Sequence, residues 1–366
     1  METPCARRLR TVATHVGDGV TAVANVSAGS TAKAKGRMNI SPLQGKVPGP
    51  FSEMDLAFWA DNGYVVLRDA VPSANLQAVK DDMFSFLGWD PTEPDGWYAD
   101  PPPQATDGSN KTNPGGMVEM YNTQSLWDNR MNPRVYQAFA QIWGVEQLWV
   151  SNDRACLKAP ARVGTAWDGD GFIHWDADVR DGKVDFKVQG VLFLADTPEG
   201  GGGFQCIPGF VNEFESWHQS LGLENLAEDD PGTAWHKSPR MRNIYSEMQK
   251  VHKARGKEIA GRAGDLLLWH THLPHGNCRN SSDQPRLAQY ITMAPAPTAP
   301  ERLAFPGLFD WGSSQQRIDT FMGKLKSDAE WEEKPDAIAA ADAGSRVEPP
   351  AVLTQLGRRL LGAEPW

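Results

Sequence analysis

The chain has 366 residues, 40% hydrophobic and 22% charged, which are ordinary values for a globular protein. Lys plus Arg number 36 against 46 Asp plus Glu, and the formal net charge of -10 argues against sequence-independent nucleic-acid binding, where phosphates must be neutralised. No run reaches the apolar length of a transmembrane helix. Cys5, Cys156, Cys206 and Cys278 form no C-x-x-C pair, so a disulfide framework or cysteine zinc site is not expected and a reducing intracellular compartment, cytoplasmic by default, is.

Residues 1–45 read as a flexible tail. Arg7, Arg8, Arg10, Lys33, Lys35 and Arg37 face only Glu2 and Asp18, with no apolar h-region for secretion. That bias is compatible with an organellar transit peptide. Ser52 before Leu56, Phe58 and Trp59 predicts a capped helix, ended by Asp61-Asn62-Gly63. Tyr64–Leu67, aromatic and β-branched, predicts a strand. Ser73 is expected to cap a second helix with the stripe Leu76, Val79, Met83, Phe84 and Leu87. Trp89–Gly116, rich in Pro, Gly and Asp, reads as a long loop. Trp97 and Tyr98 in it either face a substrate or pin the loop. Met117–Gly144 reads as helix, broken near Asn132-Pro133, and Leu148-Trp149-Val150 opens a strand-rich half.

In that half Val188–Ala195, Phe204–Ile207, Leu266–Trp269 and Arg286–Met293 read as strands. Asn212–Leu223 reads as a helix and residues 224–256 as a polar, irregular insertion. The run Gly200–Gly203 lacks the phosphate-loop pattern and reads as a turn. His218 and His252 are expected at the surface. The pattern is mostly β with flanking helices: a jelly-roll core with an N-terminal helical buttress over residues 46–300, then a helical extension over 301–366 that includes Ser327–Ala341.

The chemistry centres on Phe172-Ile173-His174-Trp175-Asp176. On an extended segment, His174 and Asp176 point to one face and Trp175 to the other. One imidazole and one carboxylate make two thirds of the 2-His-1-carboxylate set of non-haem Fe(II) oxygenases. The second histidine must come from a distant strand, and His270, His272 and His275 are the candidates. His275 is favoured because rigid Pro274 and small Gly276 flank it. Arg286 follows eleven residues later, and a hairpin joining the two would bring both to one side of a barrel mouth. A 2-oxo acid chelating the metal needs an anchor for its far carboxylate, and a guanidinium is a bidentate one. Asn152, Arg154 and Lys158 alternate on a strand leading to this site; they either line the pocket or form a salt-bridged outer face. Asp168-Gly169-Asp170-Gly171 hints at a calcium loop but has Val179 in place of the closing acid.

These stretches resemble the phytanoyl-CoA dioxygenase family of Fe(II)/2-oxoglutarate-dependent oxygenases. The resemblance rests on Phe172–Asp176, Gln189–Leu192, Gly202–Gly209, Gly264–Trp269 and Leu273–Asn277 with Arg286, and on an entry segment Phe58–Leu67. It covers roughly residues 52–295. It implies a double-stranded β-helix core, with Fe(II) held by His174, Asp176 and His275 as the catalytic centre. It also implies that Arg286 grips 2-oxoglutarate and that Asn277 is a small polar contact to it. The presence of Asp176 argues against a halogenase. The implied activity is O2-dependent hydroxylation of a small organic metabolite, with 2-oxoglutarate converted to succinate and CO2. Two alternatives stand beside it: a non-catalytic jelly-roll binding protein, and an oxygenase acting on a protein or nucleobase.

Overall fold

The structure, a computed structural model, describes residues 47–100, 102–105, 108–113, 115–183, 186–223, 237–296, 313–322 and 351–366. The expectations for a tail over 1–45 and a helix over Ser327–Ala341 lie outside these residues.

Helix α1 (Glu53–Asn62) starts in a capping box: the Ser52 hydroxyl accepts from the Asp55 amide, and the Asp55 carboxylate accepts from the Ser52 amide at 2.9 Å. Gly63, at φ 76°, ends it in the left-handed region, where a side chain would be strained. Strand β1 (Tyr64–Leu67) follows directly. Helix α2 (Ser73–Leu87) buries the expected stripe, but Pro72 occupies the cap position, so Ser73 is the first helical residue and not the cap. In the loop after it, Trp97 is buried against Phe84 and donates to the Asp90 carbonyl at 3.1 Å. Tyr98 donates to the Pro160 carbonyl at 2.7 Å. Both aromatics pin the loop. Met117 does not begin a helix. Met117–Val118 is strand β2, paired with β4 (Ala155–Lys158), and the helices α3 (Gln124–Arg130) and α4 (Pro133–Trp143) begin only where Thr123 and Asn132 supply caps.

The remaining strands are β3 (Leu148–Val150), β5 (Val188–Phe193), β6 (Phe204–Cys206), β7 (Lys257–Ile259), β8 (Leu266–His270), β9 (His275–Asn277), β10 (Arg286–Tyr290) and β11 (Met293–Pro295). Six form one antiparallel sheet in the order β1-β8-β5-β10-β4-β2, three form a second, β7-β6-β9, and β11 pairs with β3. The two main sheets face each other as a jelly roll. Strand alternation sorts their side chains. Cys156, Val191, Phe193, Leu267, Trp269 and Ala288 of the first sheet meet Phe204 and Cys206 of the second. Leu157, Leu192, Leu266, Leu268 and Leu287 point the other way, into a core with α2, α3 and α4. The helical buttress therefore covers the back of the six-stranded sheet.

Three expectations fail here. The proposed hairpin between His275 and Arg286 does not exist: β9 pairs with β6 in one sheet, and β10 pairs with β4 and β5 in the other. After β9 the chain continues beside the Gly200–Gly203 turn, with the Cys278 and Ser281 amides donating to Gly203 and Gly200 carbonyls, before it crosses to the opposite sheet. The insertion 224–256 is not irregular over its described part. Residues 239–255 form the 17-residue helix α6 (Pro239–Arg255), capped by Ser238. With α5 (Phe214–Ser220), it buries Phe214, Met241, Ile244 and Met248 against Ile173, Trp175 and Ile207 behind the second sheet. His218 also departs from expectation, being buried beside the Phe214 ring. Beyond β11, helices α7 (Ser314–Phe321) and α8 (Gln355–Leu361) are linked through buried Arg317, whose Nε donates to the Leu361 carbonyl at 2.8 Å. Among the described residues, no helix is long and apolar enough to cross a membrane.

Candidate metal centre

The segment carrying His174 adds to the second sheet through one rung. The His174 amide donates to the His275 carbonyl at 2.8 Å, and the His275 amide returns the bond to His174 at 3.0 Å. That rung demands close backbone approach. A Cβ on Gly276 would stand 2.0 Å from the Phe172 carbonyl oxygen, so only glycine fits between the two histidines' segments. Alternation then does what the sequence predicts: Ile173 and Trp175 are buried behind the sheet, and His174 and Asp176 face forward. The Trp175 indole donates to the His272 carbonyl at 2.7 Å.

His174, Asp176 and His275 come together, with ligand atoms all within 4.8 Å of one another. His174 Nε2 lies 3.4 Å from one Asp176 oxygen, and His275 Nε2 lies 3.3 Å from the other. Each ring's Nδ1 faces a carbonyl, Phe172 at 3.3 Å for His174 and Leu273 at 2.9 Å for His275. A carbonyl can only accept, so Nδ1 is the donor in both rings, and Nε2 is the atom each ring turns to the centre, protonated toward Asp176 when the ring is charged and a bare lone pair when it is neutral. Burial opposes ionisation of Asp176, but hydrogen bonds from both imidazoles override it and hold the carboxyl well below its usual range. Burial likewise opposes charging His174, and the Asp176 carboxylate outweighs it and raises the imidazole. His270 and His272 stay outside the group: the His272 amide donates to His270 Nδ1 at 3.0 Å, and both side chains are buried.

Gln189 on β5 is a residue the sequence reading did not single out. Its Nε2 donates to Asp176 Oδ2 at 2.9 Å. The available signal was a polar residue at an inward-facing position of an otherwise apolar strand, Val-Gln-Gly-Val-Leu-Phe. Its cross-strand neighbour Trp269 leaves a buried indole N–H without an acceptor beside the His275 ring.

Arg286 lies across the interior on β10, fully buried. Its Nη1 contacts Cys156 Sγ at 3.2 Å and the Tyr290 hydroxyl at 3.3 Å, while Nε and Nη2 have no acceptor. The Tyr290 hydroxyl also accepts from Asn277 Nδ2 at 3.3 Å and so ties β10 to β9. Of the alternating trio on and before β4, Arg154 pairs with Glu119 at 2.9 Å, Lys158 faces inward beside Arg286, and Asn152 is buried.

The donor set is the one non-haem Fe(II) oxygenases use, and the unsatisfied guanidinium suits a carboxylate-bearing cosubstrate. With the two facing antiparallel sheets, these features define an Fe(II)/2-oxoglutarate-dependent dioxygenase. The chain belongs to the phytanoyl-CoA dioxygenase (PhyH) family, whose model matches residues 59–288. Ava biosynthesis cluster protein O of Aspergillus versicolor is 26% identical over 256 residues, covering 67% of this chain and 79% of that protein. Among solved structures, GlcNAc Inducible Gene 2 (GIG2, DUF1479) of Candida albicans aligns over 85% of this chain and 76% of its own, at 13% identity and a TM-score of 0.56. EctD of S. alaskensis, solved with 2-oxoglutarate and 5-hydroxyectoine, aligns over 70% of this chain and 82% of its own, at 15% identity and a TM-score of 0.42.

Proposed function

We propose that the protein hydroxylates a small organic molecule, with His174, Asp176 and His275 holding the iron and Arg286 gripping the far carboxylate of 2-oxoglutarate. The observation that carries this reading is the convergence of those three side chains on one point, with both Nε2 atoms directed inward. Bound iron supplies the oxidising chemistry, in which O2 and 2-oxoglutarate are consumed and succinate and CO2 are released.

The chain's own residues bind, orient and shield. The carbonyls of Phe172 and Leu273 lock the tautomers of the two imidazoles. Gln189 fixes the Asp176 carboxylate. Asn277 acts by holding the Tyr290 hydroxyl against Arg286, which leaves the remaining guanidinium donors for the cosubstrate. Phe172 stands 53% exposed, its ring stacked 5.9 Å from that of His174. It offers the substrate an apolar surface beside the centre and keeps water from that side.

The test is succinate formation dependent on added iron and 2-oxoglutarate, over a panel of small organic molecules. His174→Ala and Asp176→Ala should abolish it and leave the protein folded. Full turnover in either variant overturns the ligand assignment.

A further inference from the structure

The inward face of the six-stranded sheet carries a charged cluster at the edge where β4 meets β2. Alternation sets Arg154 on the side of Cys156, and Glu119 and Tyr121 on the side of Met117, which stands opposite Cys156. Arg154 Nη1 donates to Glu119 Oε1 at 2.9 Å and to the Tyr121 hydroxyl at 3.0 Å, and that hydroxyl donates to Glu119 Oε2. Burial, against the pull of Arg154, holds the Tyr121 phenol well above its ordinary value of 10.0, so it remains a donor. Asp153 Oδ1 lies 3.6 Å from Arg154 Nε, and among the described residues neither Nε nor Nη2 has an acceptor within hydrogen-bond distance. A β-bulge sits beneath this guanidinium. Between the pairs Gln289–Ala155 and Met293–Val150, one strand passes through residues 290–292 and its neighbour through 151–154, so the neighbour carries an extra residue. Such a bulge bends the strand and re-aims its side chains. The Arg154 and Glu119 side chains keep 24% and 32% of their surface exposed although they face inward, so the space between the sheets opens to solvent here. Through β10, β4 stands two strands from β5, about 10 Å at ordinary strand spacing, and β5 carries the Gln189 that holds Asp176. One small organic molecule and an arginine side chain together span that interval.

We propose that Arg154 recognises the substrate through an uncharged carbonyl oxygen, and that Glu119 sets this preference against carboxylates. The inference rests on the oxygenase reading given above and names its substrate class: a neutral, carbonyl-bearing molecule. A guanidinium without a counterion favours carboxylates, which it binds bidentately. Here two carboxylates, those of Glu119 and Asp153, already flank a single guanidinium, and a third negative charge would be repelled. A carbonyl accepts from the open Nε–Nη2 edge and brings no charge. A molecule without that oxygen leaves the edge desolvated and unpaired, a mismatch that polar sites reject strongly.

The test uses the full-length protein loaded with Ni(II), a redox-inert stand-in, and saturated with 2-oxoglutarate, which keeps other carboxylates out of the cosubstrate position. Titration calorimetry compares ketones with carboxylates of the same skeleton: benzylacetone with hydrocinnamate, cyclohexyl methyl ketone with cyclohexanecarboxylate, and methyl nonyl ketone with decanoate. At least one ketone should bind, and tighter than its carboxylate by about 10-fold or more. Arg154→Met should weaken that ketone by about 10- to 100-fold, the loss of hydrogen bonding to a charged donor. Glu119→Gln keeps the shape and removes the compensating charge. It should tighten the paired carboxylate by at least about 10-fold and leave the ketone within about three-fold, a gain that a residue serving only packing does not give. This variant decides the question where Arg154→Met does not fold. Binding of no ketone, preference for the carboxylate in every pair, undiminished ketone affinity in Arg154→Met, or unchanged carboxylate affinity in Glu119→Gln overturns the proposal. A wild-type protein that takes up neither Ni(II) nor 2-oxoglutarate removes the reading beneath it instead.

Discussion

Gln189→Leu separates a role in holding the metal from a role in holding the fold. The amide donates to Asp176 Oδ2 at 2.9 Å, and that same oxygen lies 3.3 Å from His275 Nε2. Removing a hydrogen bond to a charged group costs about 1.5–3 kcal/mol. Through the usual conversion, that is about 10- to 150-fold in affinity if the bond is what keeps the carboxylate oriented. Loss of an outer partner of a metal ligand typically costs about 10- to 100-fold, so two independent routes reach one range. Stability should move differently. Gln189 Oε1 is buried without a donor, an arrangement that costs about 1–3 kcal/mol, and leucine removes it while filling similar space. The metal-free variant should therefore melt no lower than wild type. The assay is anaerobic competition for Fe(II) against a chromophoric chelator, paired with thermal melts of metal-free protein. Unchanged Fe(II) affinity in Gln189→Leu, alongside clear loss in Asp176→Ala, would refute the orienting role. A large fall in the metal-free melting temperature would show instead that the amide supports packing.

Three further outcomes are expected. Arg286→Ala should raise the 2-oxoglutarate concentration needed for half-maximal succinate formation by at least about 100-fold, since the proposed buried bidentate anchor is lost; an unchanged requirement places the anchor elsewhere. Burial, and then the nearby His272 and Lys187 charges, hold His270 well below its ordinary value of 6.5. The unfolded chain takes up that proton first, so stability falls as pH drops below about 6.5, by up to about 1.4 kcal/mol per pH unit; His270→Gln should flatten denaturant midpoints between about pH 6.5 and 5, and parallel profiles would contradict this. Ile244→Ala, at a fully buried position on α6, should destabilise by about 2–5 kcal/mol in urea unfolding, and a cost under about 1 kcal/mol would mean that α6 does not brace the second sheet.

Most of the candidate site's geometry was legible because one rule governs it. Alternation along Phe172–Asp176 placed His174 and Asp176 forward and Trp175 behind, and a rigid, glycine-flanked His275 is what a close backbone rung requires. The fold class followed from many short strands, and the start of α1 held at its Ser52 cap. What failed depended on partners distant in sequence. Met117–Val118 is a strand only because Ala155 and Cys156 lie beside it. Helix α6 escaped notice because Arg240, Arg242, Lys250 and Lys253 dilute its apolar face to Met241, Ile244 and Met248, although Ser238-Pro239 is a sound start signal. The supposed hairpin after His275 failed because spacing in sequence does not say which sheet a strand joins. Gln189 was passed over because its meaning lies in the carboxylate it faces.

The reciprocal rung between His174 and His275 sets the bite of the two imidazoles through main-chain bonds, 101 positions apart in sequence. A chelate whose bite is fixed by main chain does not depend on what the intervening residues are, provided they return the chain to that rung. The loops between the strands in that interval can therefore diverge while the main-chain spacing of the two histidines stays fixed.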